Sequence, residues 1–104
     1  MPLYALLTRL SEASLRTEDP AEVGAALAAL GERVAEALRR HVPEARWLHS
    51  YAVLGPCDYL DVFEAPNEEV AARAAQVIRS LGHATTEVWT LVPWERFRAL
   101  GRGR

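Results

Sequence analysis

The sequence predicts an α+β domain in which a four-stranded antiparallel sheet carries two helices on one face. Three observations lead to this prediction. Two long stretches have apolar residues at helical spacing, four short stretches are rich in aromatic and β-branched residues, and their order is strand, helix, strand, strand, helix, strand. Since a chain of 104 residues has room for one core, we expect residues 1–104 to form a single domain.

The first strand and the first helix are predicted near the start of the chain. Residues 3–9 form a short apolar run, whereas residues 10–18 lack a clear period and are expected to form a loop. Asp19 can accept the first free N–H groups of a helix, and Pro20 suits the first turn. The helix is expected to continue to Pro43 and to pack on a flat surface through one apolar stripe. This stripe consists of Val23, Leu27, Leu30, Val34 and Leu38.

A hairpin is predicted after the first helix. Residues 46–54 and 57–65 have the composition of strands, and the turn at Gly55 and Pro56 separates them. At this turn we expect Gly55 to use a positive φ and Asp58 to accept hydrogen bonds from nearby N–H groups. A structural role in the turn is therefore favoured over ligand contact for both residues.

The second helix, the last strand and a terminal helix complete the prediction. Asn67 is the expected N-cap of the second helix and Gly82 its C-terminal stop. Residues 83–92 are predicted to form the last strand. Pro93 is expected to begin a short helix that Gly101 ends. The apolar stripe of the second helix is Val70, Ala74, Val77, Ile78 and Leu81.

The order of these elements matches the βαββαβ unit of ferredoxin-like folds. Two helices can cover only one face of a four-stranded sheet, so the other face must meet water, a partner or a ligand. We therefore look for function on the face without helices.

The alternation of side chains along strands assigns residues to this open face. Asp61 lies in mid-strand between apolar neighbours, and a charge is costly to bury unpaired, so Asp61 is placed on the open face with Tyr59 and Phe63. For the other strands, the hairpin register determines which side chains lie on the open face. We choose the sets that keep imidazole and carboxylate groups away from the helices. They are Trp47, His49, Tyr51 and Val53, and Thr85, Glu87, Trp89 and Leu91.

This surface supplies the candidate site. The expected ligand-binding residues are His49, Tyr51, Asp58, Tyr59, Asp61, Glu87 and Trp89. His49 is the candidate catalytic base, with Asp61 or Glu87 to orient it. An interface or hydrogen-bonded structural role for His49 remains the more common alternative. No His-x-His or Cys-x-x-Cys spacing is present, so no metal site is predicted.

An open face of this composition is too apolar for a monomer surface, and self-association would cover it. Two sheets meeting about a two-fold axis would form a closed barrel with a cleft between them. We therefore expect a homodimer or a higher homo-oligomer, with a small molecule as a further possible partner.

Charge and composition exclude several other classes of protein. The net charge of −2 provides no positive field for a nucleic acid backbone. No apolar run approaches the roughly 20 residues that span a bilayer, and the first residues lack the pattern of a secretory signal. With the single Cys57, these features favour a cytoplasmic protein without membrane contact. Phosphate-binding loops and nucleophile motifs are missing from the sequence, so no cofactor is predicted.

Short segments at residues 1–4, 47–61, 63–66, 80–83, 86–88 and 93–97 are spread over nearly the whole length of the chain. In this order they resemble the GYD domain family. The namesake pattern of that family has a tyrosine between glycine and aspartate, whereas here Cys57 stands between Gly55 and Asp58. The resemblance implies a ferredoxin-like protein of the dimeric α/β-barrel type, with no established activity.

Three functions remain open at this point. The first is a homo-oligomeric module that binds a small apolar or aromatic molecule between its sheets, in a regulatory or accessory role. The second is a cofactor-independent enzyme with acid/base or monooxygenase-type chemistry at His49. The third is a structural assembly protein whose own side chains fill the cleft.

Overall fold

The computed structural model describes residues 1–10, 19–81 and 84–102. The described residues form an α+β structure with a four-stranded antiparallel sheet and three helices. The predicted loop at residues 11–18 and the predicted stop at Gly82 lie outside the described residues. The elements are β1 (Leu3–Leu10), α1 (Pro20–His41), β2 (Arg46–Ala52), β3 (Tyr59–Glu64), α2 (Glu68–Ser80), β4 (Ala84–Leu91) and α3 (Trp94–Arg102).

The strands lie in the order β2-β3-β1-β4, and each neighbouring pair is antiparallel. β1 is therefore an inner strand, with β3 on one side and β4 on the other. The predicted hairpin of β2 and β3 is confirmed. Its arms are shorter than expected, since β2 ends at Ala52 and β3 begins at Tyr59.

The two long helices begin where the sequence predicts. Asp19 accepts a hydrogen bond from Ala21 N–H at 2.9 Å, and Asn67 Oδ1 accepts one from Val70 N–H at 3.0 Å. These side chains satisfy N–H groups that have no partner within their own helix. The prediction that Gly101 ends α3 is wrong, because α3 continues to Arg102. A glycine lowers helix stability by only about 1 kcal/mol relative to alanine and does not by itself end a helix.

The core lies between the sheet and the two long helices, which share one face of the sheet. Leu6 and Phe63 have no exposed surface and form its centre. α1 contributes one buried residue, Leu38, near its C-terminal end. The earlier part of its apolar stripe is only half-buried. α2 packs along its length through Val70, Ala71, Ala74, Val77 and Ile78.

The predicted face of β3 is wrong. Phe63 pairs with Tyr4, and Asp61 pairs with Leu6, so both lie on the helix-covered face, as does Tyr59. The prediction assumed that Asp61 would be unpaired if it were covered. Hydrogen bonds from neighbouring side chains instead make a covered position acceptable. Leu60 and Val62 consequently point to the open face.

An irregularity in β2 separates residues that the sequence placed together. Trp47 pairs with Phe63 and His49 pairs with Val62, so the register shifts between Trp47 and His49. Such a β-bulge reverses the alternation of side chains. Trp47 therefore lies on the helix-covered face, where its ring stacks on Phe63 at 4.6 Å, and His49 lies on the open face. The predicted grouping of Trp47 with His49 is wrong.

The turn between β2 and β3 is fixed to the end of β1. Asp58 Oδ2 accepts a hydrogen bond from Leu10 N–H at 2.7 Å, and Asp58 N–H donates to Thr8 O at 2.8 Å. The guanidinium of Arg9 donates to Pro56 O. Gly55 does not adopt a positive φ, so the reason predicted for glycine at this turn is wrong. Asp58 is a structural acceptor: its carboxylate binds Leu10 N–H of β1, and its backbone carbonyl accepts a hydrogen bond from Val53 N–H within the turn at 2.9 Å.

Within the described residues, no helix has the length and apolar character that crossing a bilayer requires.

Candidate functional site

A pocket of about 600 Å³ opens between α1 and the helix-covered face of the sheet. It exists because α1 is buried against the core only near Leu38, which leaves its earlier turns over a partly filled space. Most of the wall is aliphatic. The apolar wall includes Leu10, Leu30, Val34, Leu38, Val42, Pro43, Ala45, Ile78 and Ala84.

The carboxylate of Asp61 is part of the pocket lining and accepts a hydrogen bond from a side chain. The indole Nε1–H of Trp47 donates to Asp61 Oδ1 at 3.2 Å, and Ser50 is the cross-strand partner of Asp61 on β2. Partial burial raises the pKa of Asp61 above its ordinary value, while the polar side chains of Ser50 and Trp47 oppose this rise. Asp61 is therefore a partly desolvated acid beside an apolar space.

Two residues that carry a hydroxyl group, Thr8 and Tyr59, also line the pocket. Thr8 is 3% exposed, and its Oγ1 has no hydrogen-bond partner in the part of the chain that the structure describes. Tyr59, the cross-strand partner of Thr8, donates its hydroxyl to Leu27 O of α1 at 3.4 Å. Burial raises the pKa of Tyr59, and the charges of Asp58 and Asp61 raise it further. A buried hydroxyl without a partner costs roughly 1–3 kcal/mol, so a hydrogen bond supplied to Thr8 would be stabilising.

Charge is distributed unevenly over the pocket. Asp61 lies on the sheet side, and Arg39 lies on the exposed surface of α1 at the pocket edge. The described residues contain no group of three or more histidine, cysteine, aspartate or glutamate side chains that could hold a metal ion. An apolar molecule with one polar end matches this lining.

The structure divides the predicted site residues between two faces. Tyr59 and Asp61 both line the pocket. Asp58 lies in the turn between β2 and β3, where it is hydrogen-bonded to the end of β1. The remaining four do not line the pocket. His49, Tyr51, Glu87 and Trp89 lie on the open face of the sheet.

The predicted catalytic pairs are not formed. His49 and Asp61 lie on opposite faces of the sheet, because His49 pairs with Val62 and Asp61 is the next residue along β3. Glu87 shares the open face with His49, but β2 and β4 are the two edges of the sheet. Three strand spacings of about 4.8 Å each separate these edges. His49 therefore has neither predicted acid within hydrogen-bonding distance.

Sequence reasoning missed three polar residues of the pocket. Trp47 was assigned to the other face because the β-bulge has no clear sequence signal. Ser50 is not in the predicted open-face set of its strand and is not among the predicted site residues, and the structure pairs it with Asp61. Thr8 could have been found, since it follows Tyr4 and Leu6 on the same face of β1 and is the polar member of that set.

The open face is more apolar than the sequence indicated. Its middle strands present Leu3, Leu7, Leu60 and Val62. At its edges, Tyr51 is 53% exposed and Trp89 is 50% exposed, and the ring of His49 stacks on Tyr51 at 6.1 Å. A second apolar surface lies on α3, where the exposed large side chains are Trp94, Phe97 and Leu100.

Comparison with known proteins identifies a family. The family model of the GYD domain matches residues 10–100, which is most of the chain. The search of curated proteins found no match to this chain.

Proposed function

We propose that this chain, which belongs to the GYD domain family, binds a small and largely apolar molecule in the pocket between α1 and the sheet. One observation carries the proposal. A space of about 600 Å³ with aliphatic walls contains a partly buried acid and a hydroxyl without a partner in the described residues. Ligand sites have this volume and this combination of apolar walls with few polar groups.

The packing of α1 supports this location. The helix carries an apolar stripe, yet only Leu38 is buried. A molecule in the pocket would cover Leu30 and Val34 and remove more apolar surface from water, at about 25 cal/mol per Å². The proposed site thus lies within one subunit, whereas the sequence suggested a cleft between two sheets.

A test of this proposal uses two glycines of α1. A Cβ at Gly31 or at Gly24 would have no neighbour within 4 Å, but only Gly31 lines the pocket. Gly31→Leu should fill part of the pocket, and Gly24→Leu is the matched control. Binding of 1-octanol is measured by chemical-shift changes in heteronuclear NMR spectra. We expect saturable binding to the wild type and to Gly24→Leu, and an affinity at least tenfold weaker for Gly31→Leu. Equal binding by both variants, or no saturable binding by the wild type, would contradict the proposal.

We also propose that the fold is ferredoxin-like. The strand order read from the β4 edge is β4-β1-β3-β2, and both long helices pack on one face. Together with the element order, this arrangement supports the assignment.

We further propose that the open face is covered by a second copy of the chain. The middle of this face is aliphatic, and Tyr51 and Trp89 add aromatic surface at its edges. An apolar surface of this extent is unusual on a monomer. The same surface on a second copy is complementary in chemistry and would give a two-fold contact.

A further inference from the structure

We infer that the molecule in the α1 pocket ends in a hydrogen-bond donor, a hydroxyl or an amine, that is held by Asp61 and Thr8, and that the pocket rejects carboxylates at this position. The inference rests on the proposed function, because it specifies the chemical class of the ligand for the same site. It depends on the polar groups of the pocket and on which of them are already paired.

Asp61 has acceptor capacity left for a ligand. An ionised carboxylate offers about four lone-pair sites, and Asp61 accepts a hydrogen bond from Trp47, with Ser50 opposite it on β2. No arginine forms an ion pair with Asp61 in the described part of the chain. A donor on the ligand would therefore meet an unused, negatively charged acceptor in a partly desolvated place, where such a bond is strong.

Thr8 makes a hydroxyl or an amine the best match. The free Thr8 Oγ1 can either donate or accept. A ligand hydroxyl can donate to Asp61 and accept from Thr8, and a ligand ammonium can donate to both. A carboxylate has no hydrogen to donate and would bring a second negative charge close to Asp61, which is unfavourable.

Arg39 is the one cationic side chain among the residues that line the pocket in the described part of the chain. Its side chain lies on the exposed surface of α1 and also lines the pocket. A carboxylate ligand would satisfy this cation only by binding with its acid at the outer edge and its chain inward. Loss of octanoate binding in Arg39→Gln would identify such a reversed orientation.

The test compares probes of matched size. 1-Octanol and heptyl methyl ether have the same atoms, but only the alcohol can donate a hydrogen bond; octylamine and octanoate add the two charges. We expect the wild type to bind octanol and octylamine at least tenfold more tightly than the ether or octanoate. In Asp61→Asn the preference for octanol over the ether should fall to about threefold or less, because the amide also offers donors to the ether oxygen.

Control variants separate the possible failures. Glu64→Gln removes an acid from the other face of β3 and should leave every probe affinity unchanged. Thr8→Val keeps the side-chain volume, removes the hydroxyl and should weaken octanol severalfold. Near-equal affinity of the wild type for all four probes would overturn the inference, as would an octanol preference that survives in Asp61→Asn. Absence of saturable binding for every probe would instead overturn the proposed pocket itself.

Discussion

Trp47 and Asp61 are joined on the helix-covered face of the sheet by a hydrogen bond of 3.2 Å from the indole Nε1 to Oδ1. The bulge in β2 makes this contact possible, because it turns Trp47 toward the helices. The indole ring also stacks on Phe63 in the core. One side chain thus belongs to the core through its ring and to the pocket through its donor.

Replacing Trp47 with phenylalanine should retain an aromatic ring over Phe63 and remove the donor to Asp61. The pKa of Asp61 should then rise further, because the lost hydrogen bond favours the charged carboxylate. We also expect a loss of about 1.5 kcal/mol or more in the free energy of unfolding. Carboxyl NMR titration measures the first effect and urea unfolding the second. Trp89→Phe, on the open face, is the control. An unchanged titration midpoint of the Asp61 carboxyl group in Trp47→Phe would count against the Trp47–Asp61 hydrogen bond.

Asp61 should make stability depend on pH. Its pKa in the folded chain is raised by burial, so the folded state binds more protons than the unfolded state in this range. The stabilisation by protonated Asp61 is complete below the unfolded pKa, near pH 4, and is lost as pH rises through the folded pKa. Asp61→Asn should therefore gain stability relative to the wild type as pH increases from 4 to 7. Urea midpoints across this range test the sign, and a relative gain that shrinks with rising pH would be inconsistent with it.

Asp58 should matter for folding and not for ligand binding. Removing its carboxylate in Asp58→Ala leaves Leu10 N–H without its acceptor, at a cost of roughly 1–3 kcal/mol. Asp58→Asn retains an oxygen that can accept the bond and should lose less. The octanol affinity of the folded protein should stay within about twofold of the wild type in both variants. A large loss of affinity with unchanged unfolding would instead place Asp58 in the binding site.

Self-association should depend on the open face. Trp89→Lys places a charge on that face, while Thr90→Lys places the same charge on the next residue of β4, whose side chain points to the other face. Light scattering at micromolar concentration should give twice the mass of one chain for the wild type and Thr90→Lys, and the mass of one chain for Trp89→Lys. A monomeric wild type would remove the proposed dimer and leave the pocket proposal intact.

The features that follow local rules could be predicted from the sequence. Asp19 and Asn67 mark helix starts because their side chains accept hydrogen bonds a few residues away. The faces of His49, Glu87 and Trp89 also follow from alternation and from the cost of placing polar groups beneath helices. Family membership agrees with these elements, since the matched region runs from residue 10 to residue 100.

The features that depend on contacts across the sheet could not be predicted in this way. The face of β3 was wrong because the burial cost of Asp61 was judged without its partners, Trp47 and Ser50. Trp47 itself was placed wrongly because one extra residue in β2 reverses the face of everything before it. The pocket depends on how closely α1 approaches the sheet, and an apolar stripe does not specify this distance.

Fluorescence of Trp47 tests the pocket most directly. The chain has three tryptophans, and of these only Trp47 lines the pocket, so the double variant Trp89→Phe, Trp94→Phe carries a single reporter. We predict that 1-octanol changes the emission of this variant saturably, and that adding Gly31→Leu abolishes the change while Gly24→Leu preserves it. Emission that stays constant as octanol is added, or that changes equally in the Gly31→Leu background, would contradict ligand binding between α1 and the sheet.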